Sequence, residues 1–239
     1  MKKLSSIVST IIITFIIASC GGDYERIDPS GTQVNFDKSL AGISQIFILD
    51  GFEVRIEPSS SNSIDATMDE SYKNYIEFQE NGDMVTIRKK GKVQFADESL
   101  IEIIIYKDML TKVELSGGSK VLDSKINADD FILNISGGSE IESFLNCRNL
   151  SLVMSGGSEG ILKGKGESLS LDISGGSDLD MEEMEFFNGT ITASGGAEAH
   201  VSVRDSLTAD ASGGAEVKYE GEPNSLSVST SGGGKVERD

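Results

Sequence analysis

The tripeptide Ser-Gly-Gly recurs seven times in the second half of the chain at nearly constant spacing. The copies begin at Ser116, Ser136, Ser155, Ser174, Ser194, Ser212 and Ser231, so the successive steps are 20, 19, 19, 20, 18 and 19 residues. Self-similarity at such a period is typical of a solenoid. The repeat is too short for a propeller blade and lacks a helical segment, so it predicts an all-β fold: a single-stranded, right-handed, three-sided parallel β-helix.

Two inward positions precede each Ser-Gly-Gly and predict a strand with one apolar face. The first reads Val113, Leu133, Leu152, Leu171, Ile191, Ala209 and Val228; the second reads Leu115, Ile135, Met154, Ile173, Ala193, Ala211 and Thr230. Mostly polar residues lie between them, as in a half-buried strand. The inward residues become smaller along the chain. We therefore expect the last three coils to be the least stable, since a buried CH₂ is worth about 0.8 kcal/mol.

The paired glycines predict a sharp corner in each coil. Glycine is needed where the backbone takes a positive φ or where a Cβ atom would collide with a neighbouring rung. The predicted structural glycines are Gly117, Gly118, Gly137, Gly138, Gly156, Gly157, Gly175, Gly176, Gly195, Gly196, Gly213, Gly214, Gly232 and Gly233.

The start of the chain has the pattern of an export and anchoring segment. Residues 1–19 predict a signal peptide, because two lysines precede an apolar run that is short for a membrane span. The run ends in Ile-Ala-Ser-Cys, which resembles the lipobox of bacterial lipoproteins and makes Cys20 the expected lipid attachment site. An ordinary secretory signal is the alternative. Residues 20–40 predict a lipidated polar tether.

Residues 41–112 predict a less regular β segment that caps the N-terminal end of the solenoid. The residues 52–57 alternate apolar and polar side chains, and Asn81-Gly82 between two β-type runs predicts a hairpin. The seven-coil β-helix is expected at 113–239. Charged residues near Asp239 are expected to blunt the open edge of the last coil, and the alternative is weak self-association through that edge.

One outward column carries a charge in every coil. The residue two places after each second glycine reads Lys120, Glu140, Glu159, Asp178, Glu198, Glu216 and Lys235. Stacked side chains would lie about 5 Å apart, so neighbouring carboxylates repel by roughly 0.9 kcal/mol in bulk water. Two interpretations stay open: a binding ladder for divalent cations or a basic partner, or the solvated face of an acidic protein.

Composition and missing motifs argue against several functions. A formal net charge of −18 disfavours binding to nucleic acid or anionic lipid headgroups. With Cys20 lipidated, Cys147 has no partner for a disulfide, and a single histidine, His200, makes a thiolate zinc site improbable. Phosphate-loop, serine-elbow and zinc-protease motifs are absent from the sequence. The sequence therefore predicts no catalytic residues, no cofactor and no metal.

The chain resembles the head GIN domain family of auto-transporter adhesins, which is common among envelope lipoproteins of Bacteroidetes. The resemblance covers about residues 42–237. It rests on the segment Gly-Phe-Glu-Val-Arg-Ile-Glu-Pro at 51–58 and on coils such as Leu-Asn-Ile-Ser-Gly-Gly-Ser-Glu-Ile at 133–141. This chain has Gly-Gly where relatives have Gly-Ser-Gly. The resemblance implies a β-helix and supplies no catalytic residues.

Together these observations predict a non-catalytic binding or adhesion module, anchored by lipid in the cell envelope at the outer membrane. The expected ligand is a protein or a glycan, and the membrane is contacted only through the anchor. Two alternatives stay open. A polysaccharide-active enzyme would need a cleft with clustered carboxylates beside a lysine or arginine, whereas a ligand-free structural or envelope-stress component would show charge ladders without a concave site.

Overall fold

The computed structural model describes residues 24–239 as a β-solenoid of about seven turns with about 19 residues per coil. The predicted signal peptide at 1–19, the attachment site Cys20 and the first residues of the predicted tether lie outside the described residues. Among residues 24–239 we find no helix with the length and hydropathy of a membrane span. The helical elements of this described part are two 3₁₀ turns, Lys73–Tyr75 and Glu98–Leu100.

The strands divide between an N-terminal segment and the repeat region. The N-terminal strands are β1 (Glu25–Ile27), β2 (Gln33–Ser39), β3 (Gln45–Ile48), β4 (Glu53–Glu57), β5 (Ser63–Asp69), β6 (Ile76–Asn81), β7 (Met84–Lys89), β8 (Val93–Phe95) and β9 (Ile101–Tyr106). The repeat strands are β10 (Lys112–Leu115), β11 (Lys120–Asn127), β12 (Asp130–Ile135), β13 (Glu140–Asn146), β14 (Asn149–Met154), β15 (Glu159–Lys165), β16 (Ser168–Ile173), β17 (Asp178–Ala193), β18 (Glu198–Ser212), β19 (Glu216–Glu220), β20 (Ser225–Ser231) and β21 (Lys235–Arg238).

Each coil of the repeat region lies parallel and in register on the next. For example, β12 pairs with β10 and β14, which places Leu133 between Val113 and Leu152. We call the outward side of the strands that precede each Ser-Gly-Gly the first face. The second face is the outward side of the residues that follow it, at the start of β11, β13, β15, β17, β18, β19 and β21.

The first glycine of every corner meets both conditions that require glycine: a positive φ, and no room for a Cβ atom beside the neighbouring rung. Its φ lies between 60° and 77° in the seven corners. A Cβ atom there would lie 3.1–3.3 Å from a backbone nitrogen of the preceding rung. The second glycine differs, because φ is positive at Gly118, Gly138, Gly157 and Gly233 but not in the other three corners. All seven corners therefore need glycine at the first position, and four of them need it at the second position as well.

A buried serine follows the glycine pair in the first four coils. These serines donate Oγ hydrogen bonds of 2.8–3.0 Å to the carbonyl oxygen of the serine that begins the same corner. They are Ser119, Ser139, Ser158 and Ser177. The next two coils carry the buried residues Ala197 and Ala215 instead. The sequence analysis did not identify these buried hydroxyl groups.

The variable length of the coils is absorbed away from the glycine corner. The register of β11 against β13 shifts after Val121, where Asp123 has a φ of 48°. The register of β17 against β18 shifts after Met181. Because the extra residues lie at these later positions, steps of 18–20 residues leave the corners and the start of each following strand aligned.

The N-terminal segment supplies the first rung of the solenoid. Strand β3 lies parallel between β7 and β10, and β4 pairs in parallel with both β9 and β11. The predicted hairpin is formed by β6 and β7, with Gly82 at a φ of 64°. Two antiparallel pairs, β2 with β5 and β5 with β9, cover one side of this rung.

The structure differs from the predicted polar tether, because residues 25–39 contain β1 and β2. Strand β2 half-buries Val34 and Phe36, and the Phe36 ring stacks on Phe78 with centroids 4.7 Å apart. The buried Asp69 carboxylate also accepts backbone N–H bonds from Ser30 and Gly31 at 2.9 and 2.8 Å. Burial opposes ionisation of Asp69, but hydrogen bonds from the backbone and side chains of Ser30 and Ser71 outweigh it and hold its pKa well below the ordinary value.

Inward side chains fill the solenoid as far as the sixth coil. Gly160 interrupts one apolar column, and its space is filled by Leu179 and Met154, whose side chains lie 3.0 and 3.3 Å from the position of a Cβ. In the last coil Leu226 and Val228 are 47% and 45% exposed. Within the described residues no further strand covers the outer edge of β20.

Candidate binding surface

The structure aligns the predicted charged ladder in one column of the second face. Successive pairings bring its members side by side: Lys120, Glu140, Glu159, Asp178, Glu198, Glu216 and Lys235. Strand β4 extends the column by one acidic residue, because Glu53 pairs with Lys120. Glu53 lies outside the Ser-Gly-Gly repeat, so the repeat pattern could not indicate it.

A second outward column lies beside the ladder on the same face. Its members are Glu142, Ile161, Asp180, His200, Lys218 and Glu237. The sequence analysis did not identify this column as a feature. The signal was present, since these residues lie two places after the ladder residues, where side chains of a strand return to the same face.

Cationic side chains neutralise both ends of the ladder. Lys120 forms an ion pair with Glu140, and this hydrogen bond raises the pKa of the ammonium group. Near the other end, Lys218 Nζ lies 3.0 Å from Glu198 Oε1 and 3.7 Å from Glu216 Oε1. The hydrogen bonds from His200 and Lys218 lower the pKa of Glu198. Three of the five predicted ladder carboxylates therefore have partners within the protein.

The middle of the second face keeps its negative charge. Glu142, Glu159, Asp178 and Asp180 are exposed, and none of them forms an ion pair with another residue in 24–239. We call these four residues the acidic patch. They surround Ile161, which is 42% exposed, and line a shallow depression of about 260 Å³. The patch thus combines four unpaired carboxylates with an apolar centre.

The geometry of the patch suits a partner with several cationic groups rather than one small ion. Across the described part of the chain, one group of three His, Cys, Asp or Glu residues brings its ligand atoms within 4.8 Å of one another, and it contains no residue of the patch. A calcium ion needs six to eight oxygen ligands at about 2.4 Å. Carboxylates spread over three rungs can instead each pair with a separate basic side chain.

The perturbed pKa values of one thiol and three carboxyl groups follow from burial and from hydrogen bonding. Burial raises the pKa of the Cys147 thiol to about 11, which keeps it protonated and weakly nucleophilic. The carboxyl pKa shifts found in residues 24–239, at Asp69, Asp83 and Glu198, are all downward. A glycosidase acid needs a raised pKa in order to donate its proton near neutral pH.

The first face has a different character. Ile132 and Val153 are 45% and 42% exposed there, beside a shallow depression of about 420 Å³ lined mainly by uncharged groups. Asp172 and Asp210 are two of the exposed carboxylates of this face, and they lie in separate rungs. They carry the same charge as two patch residues but lie apart, which makes them useful controls.

Comparison with known proteins identifies a family. The model of the family described as "Putative auto-transporter adhesin, head GIN domain" matches residues 43–223. This match confirms the resemblance inferred from the sequence. A search of curated proteins finds no match.

Solved structures share the fold at low sequence identity. A structure described as a "putative adhesin" from Bacteroides fragilis NCTC 9343 has a TM-score of 0.83 at 16% identity, covering 89% of this chain and 100% of that chain. A "putative adhesin" from Parabacteroides merdae ATCC 43184 has a TM-score of 0.69 at 17% identity, covering 90% and 99%. A "Putative lipid binding protein" from Parabacteroides distasonis ATCC 8503 has a TM-score of 0.72 at 16% identity, covering 90% and 100%.

Proposed function

The chain belongs to the head GIN domain family of auto-transporter adhesins, and from this premise we propose that it is a non-catalytic adhesion module that binds a basic protein segment. The binding surface in this proposal is the acidic patch on the second face. The observation that carries it is the contrast along one ladder, where carboxylates at both ends have cationic partners and those in the middle have none. The family description and the adhesin-like structures support the adhesion role.

Charge and shape both favour a lysine- or arginine-rich partner. The four carboxylates of the patch lie on three adjacent rungs, so each basic side chain of an extended segment can reach its own carboxylate. The exposed Ile161 gives the aliphatic part of such side chains an apolar surface to contact. Because exposed ion pairs contribute about 0.2–1 kcal/mol each, several of them are needed for useful affinity.

The test is binding of a fluorescent octalysine peptide, followed by anisotropy at low and moderate salt. We expect the double variant Glu159→Gln with Asp178→Asn to bind roughly two- to thirtyfold more weakly, since two ion pairs of about 0.2–1 kcal/mol each are lost. The matched control is Asp172→Asn with Asp210→Asn, which removes the same charge from the first face. An equal loss of peptide affinity in the two double variants would show that binding depends only on the net charge of the protein, and it would defeat the proposal.

We further propose that the protein is a lipoprotein of the outer membrane, attached through Cys20. The lipobox-like sequence supports the anchor, and the adhesin family supports an envelope location. Metabolic labelling with an alkyne fatty acid should mark the natural protein and leave Cys20→Ala unlabelled. Labelling that survives this substitution would place any lipid elsewhere. Protease treatment of intact cells then separates surface display, where the protein is digested, from a periplasmic position.

A further inference from the structure

The single histidine of the chain lies among carboxylates at the far end of the second face. His200 is on β18 in the outward column beside the ladder, between Asp180 and Lys218 of the neighbouring rungs. Its Nδ1 atom lies 2.8 Å from Glu182 Oε1 and 3.9 Å from an Asp239 carboxylate oxygen. Its Nε2 atom lies 3.0 Å from Glu198 Oε1. Both ring nitrogens therefore lie against carboxylate oxygens, and the Lys218 ammonium nitrogen also lies 3.5 Å from Nε2.

A neutral imidazole cannot satisfy these contacts by itself. It has one N–H group and one nitrogen lone pair. When Nε2–H donates to Glu198, the Nδ1 lone pair points toward the oxygens of Glu182 and Asp239. The lone pair and the negatively charged oxygens repel each other. A cation at Nδ1 relieves this repulsion, and it is either a proton or a metal ion.

We propose that Nδ1 of His200 and the carboxylates of Glu182 and Asp239 bind one divalent transition-metal ion, of which zinc is the representative. The three ligand atoms lie within 4.8 Å of one another. Zinc binds imidazole nitrogen and carboxylate oxygen at about 2.0–2.2 Å, so small side-chain rotations bring the three atoms onto one ion. A water molecule or a donor from a binding partner completes the coordination.

The contact of Glu198 with Nε2 matches the usual surroundings of a metal-binding histidine. Such a histidine almost always donates its other N–H to a carboxylate or a carbonyl, which fixes the tautomer and the ring orientation. Glu198 is itself held by Lys218 Nζ at 3.0 Å. This carboxylate is therefore positioned to orient the ring without binding the ion.

The fold brings the two carboxylate ligands to His200 from different coils. Glu182 belongs to the extra residues that shift the register of β17 against β18 after Met181. Asp239 follows β21, and its backbone N–H donates a 3.1 Å hydrogen bond to the carbonyl oxygen of Tyr219. The extra length of the fourth coil thus has a local consequence, because it places a carboxylate beside the histidine.

A metal ion at Nδ1 competes with a proton. Binding of the metal must therefore release this proton, and zinc affinity must increase with pH. Calcium is a poor competitor, because it prefers an all-oxygen shell of six to eight ligands.

The experiment is calorimetric titration of the full-length, chelator-treated protein in detergent with zinc chloride. We expect one zinc ion per chain, tighter binding at pH 8 than at pH 6, and no comparable binding of calcium. His200→Gln and Glu182→Gln should each weaken binding about tenfold or more, and Glu198→Gln about tenfold through loss of ring orientation. The adjacent Glu183→Gln is the matched control, since Glu183 pairs with Lys163 of the preceding coil and does not belong to the group of three ligand residues.

Nitrogen-detected NMR of the single imidazole provides the second measurement. Zinc should shift the Nδ1 resonance in the natural protein and in Glu183→Gln, provided that circular dichroism shows both to be folded. Absence of a shift at millimolar zinc identifies the occupant as a proton and overturns the proposal. Zinc binding of equal strength in His200→Gln overturns it as well. Neither result depends on Glu159 or Asp178, so the proposed binding of basic segments is tested separately.

Discussion

The four coils that begin at Ser116, Ser136, Ser155 and Ser174 differ from the last three in both packing and charge pairing. We call them the early and the late coils. Early coils carry large aliphatic inward residues and a buried serine at each corner, whereas late coils carry alanine at many of these positions. On the second face, the late coils have more of their ladder carboxylates paired with cations than the early coils have. Early coils hold the unpaired acidic patch, and late ladder carboxylates pair with Lys218 and His200.

This difference indicates where the protein tolerates electrostatic repulsion. Neighbouring carboxylates about 5 Å apart repel by roughly 0.9 kcal/mol each in water. The better-packed early coils accommodate that cost at the acidic patch, whose four carboxylates have no ion-pair partner among residues 24–239, whereas the late coils combine a thin core with charge pairing. Because the cost of the patch is not relieved within the described residues, an external basic partner gains the most by binding there.

The largest expected difference concerns the core. Leu171→Ala should lower the free energy of unfolding by about 3 kcal/mol, because the side chain is buried among early rungs and cannot be replaced by solvent. Val228→Ala in the exposed last rung should cost less than about 1 kcal/mol. Urea unfolding of the two variants measures both. Similar costs would show that early and late rungs are equally well packed.

The next effect concerns the two glycines of one corner. Gly175→Ala should cost about 2 kcal/mol, because a residue with a Cβ is strained at a positive φ and the atom would lie 3.1 Å from the Gly156 nitrogen. Gly176→Ala is the control, since its φ is not positive and a Cβ meets nothing within 4 Å. Urea unfolding should place this variant within about 0.5 kcal/mol of the natural protein. Equal sensitivity at both positions would contradict the geometric role of the first glycine.

A smaller effect is expected from the buried serines. Ser139→Ala should cost about 1 kcal/mol in the free energy of unfolding, because the carbonyl oxygen of Ser136 loses its hydrogen bond. The reverse change in a late coil, Ala197→Ser, should be neutral or stabilising, since Ser177 makes this bond in the preceding coil. Thermal unfolding of both variants checks the pair. A strongly destabilising Ala197→Ser would mean that the late corners have no room for a hydroxyl group.

The weakest expected effect is association of the exposed last rung with a second copy. Strand β20 has no charged residue, and the charges that the sequence analysis expected to blunt this edge, such as Lys235 and Glu237, lie on β21. Sedimentation velocity should detect a concentration-dependent dimer that Val228→Lys abolishes. Ser229→Lys on the outward side of the same strand should leave it intact. A monomer at all concentrations would instead favour the alternative in which the charged residues near Asp239 prevent pairing at the open edge of the last coil.

The periodic part of the fold could be predicted because the Ser-Gly-Gly repeat of the sequence has the same length as one coil, about 19 residues. The repeat places ladder residues such as Glu159 and Asp178 next to each other whenever corners stack in register, and they do. The buried serines and the gap-filling at Gly160 could not be predicted, because they depend on which atoms meet across rungs.

The remaining features depend on contacts between distant segments. Strand β2 forms because Phe36 stacks on Phe78 and because the backbone of β2 pairs with the edge of β5. The sequence of residues 33–39 alone does not reveal either partner. The surroundings of His200 depend on the register shift in β17, so its approach to Glu182 is not visible in the spacing of the repeat. Which ladder carboxylates have partners likewise depends on how far lysine side chains reach between rungs.

The most direct test of the account is to map where a basic peptide contacts the protein. An octalysine peptide with a photoreactive group at one end should crosslink, by mass spectrometry, to residues between 140 and 180 on the second face. Crosslinks should be few around Asp172 and Asp210 on the first face, although those carboxylates are exposed. Crosslinks spread over both faces in proportion to their acidic residues would contradict a binding surface at the acidic patch.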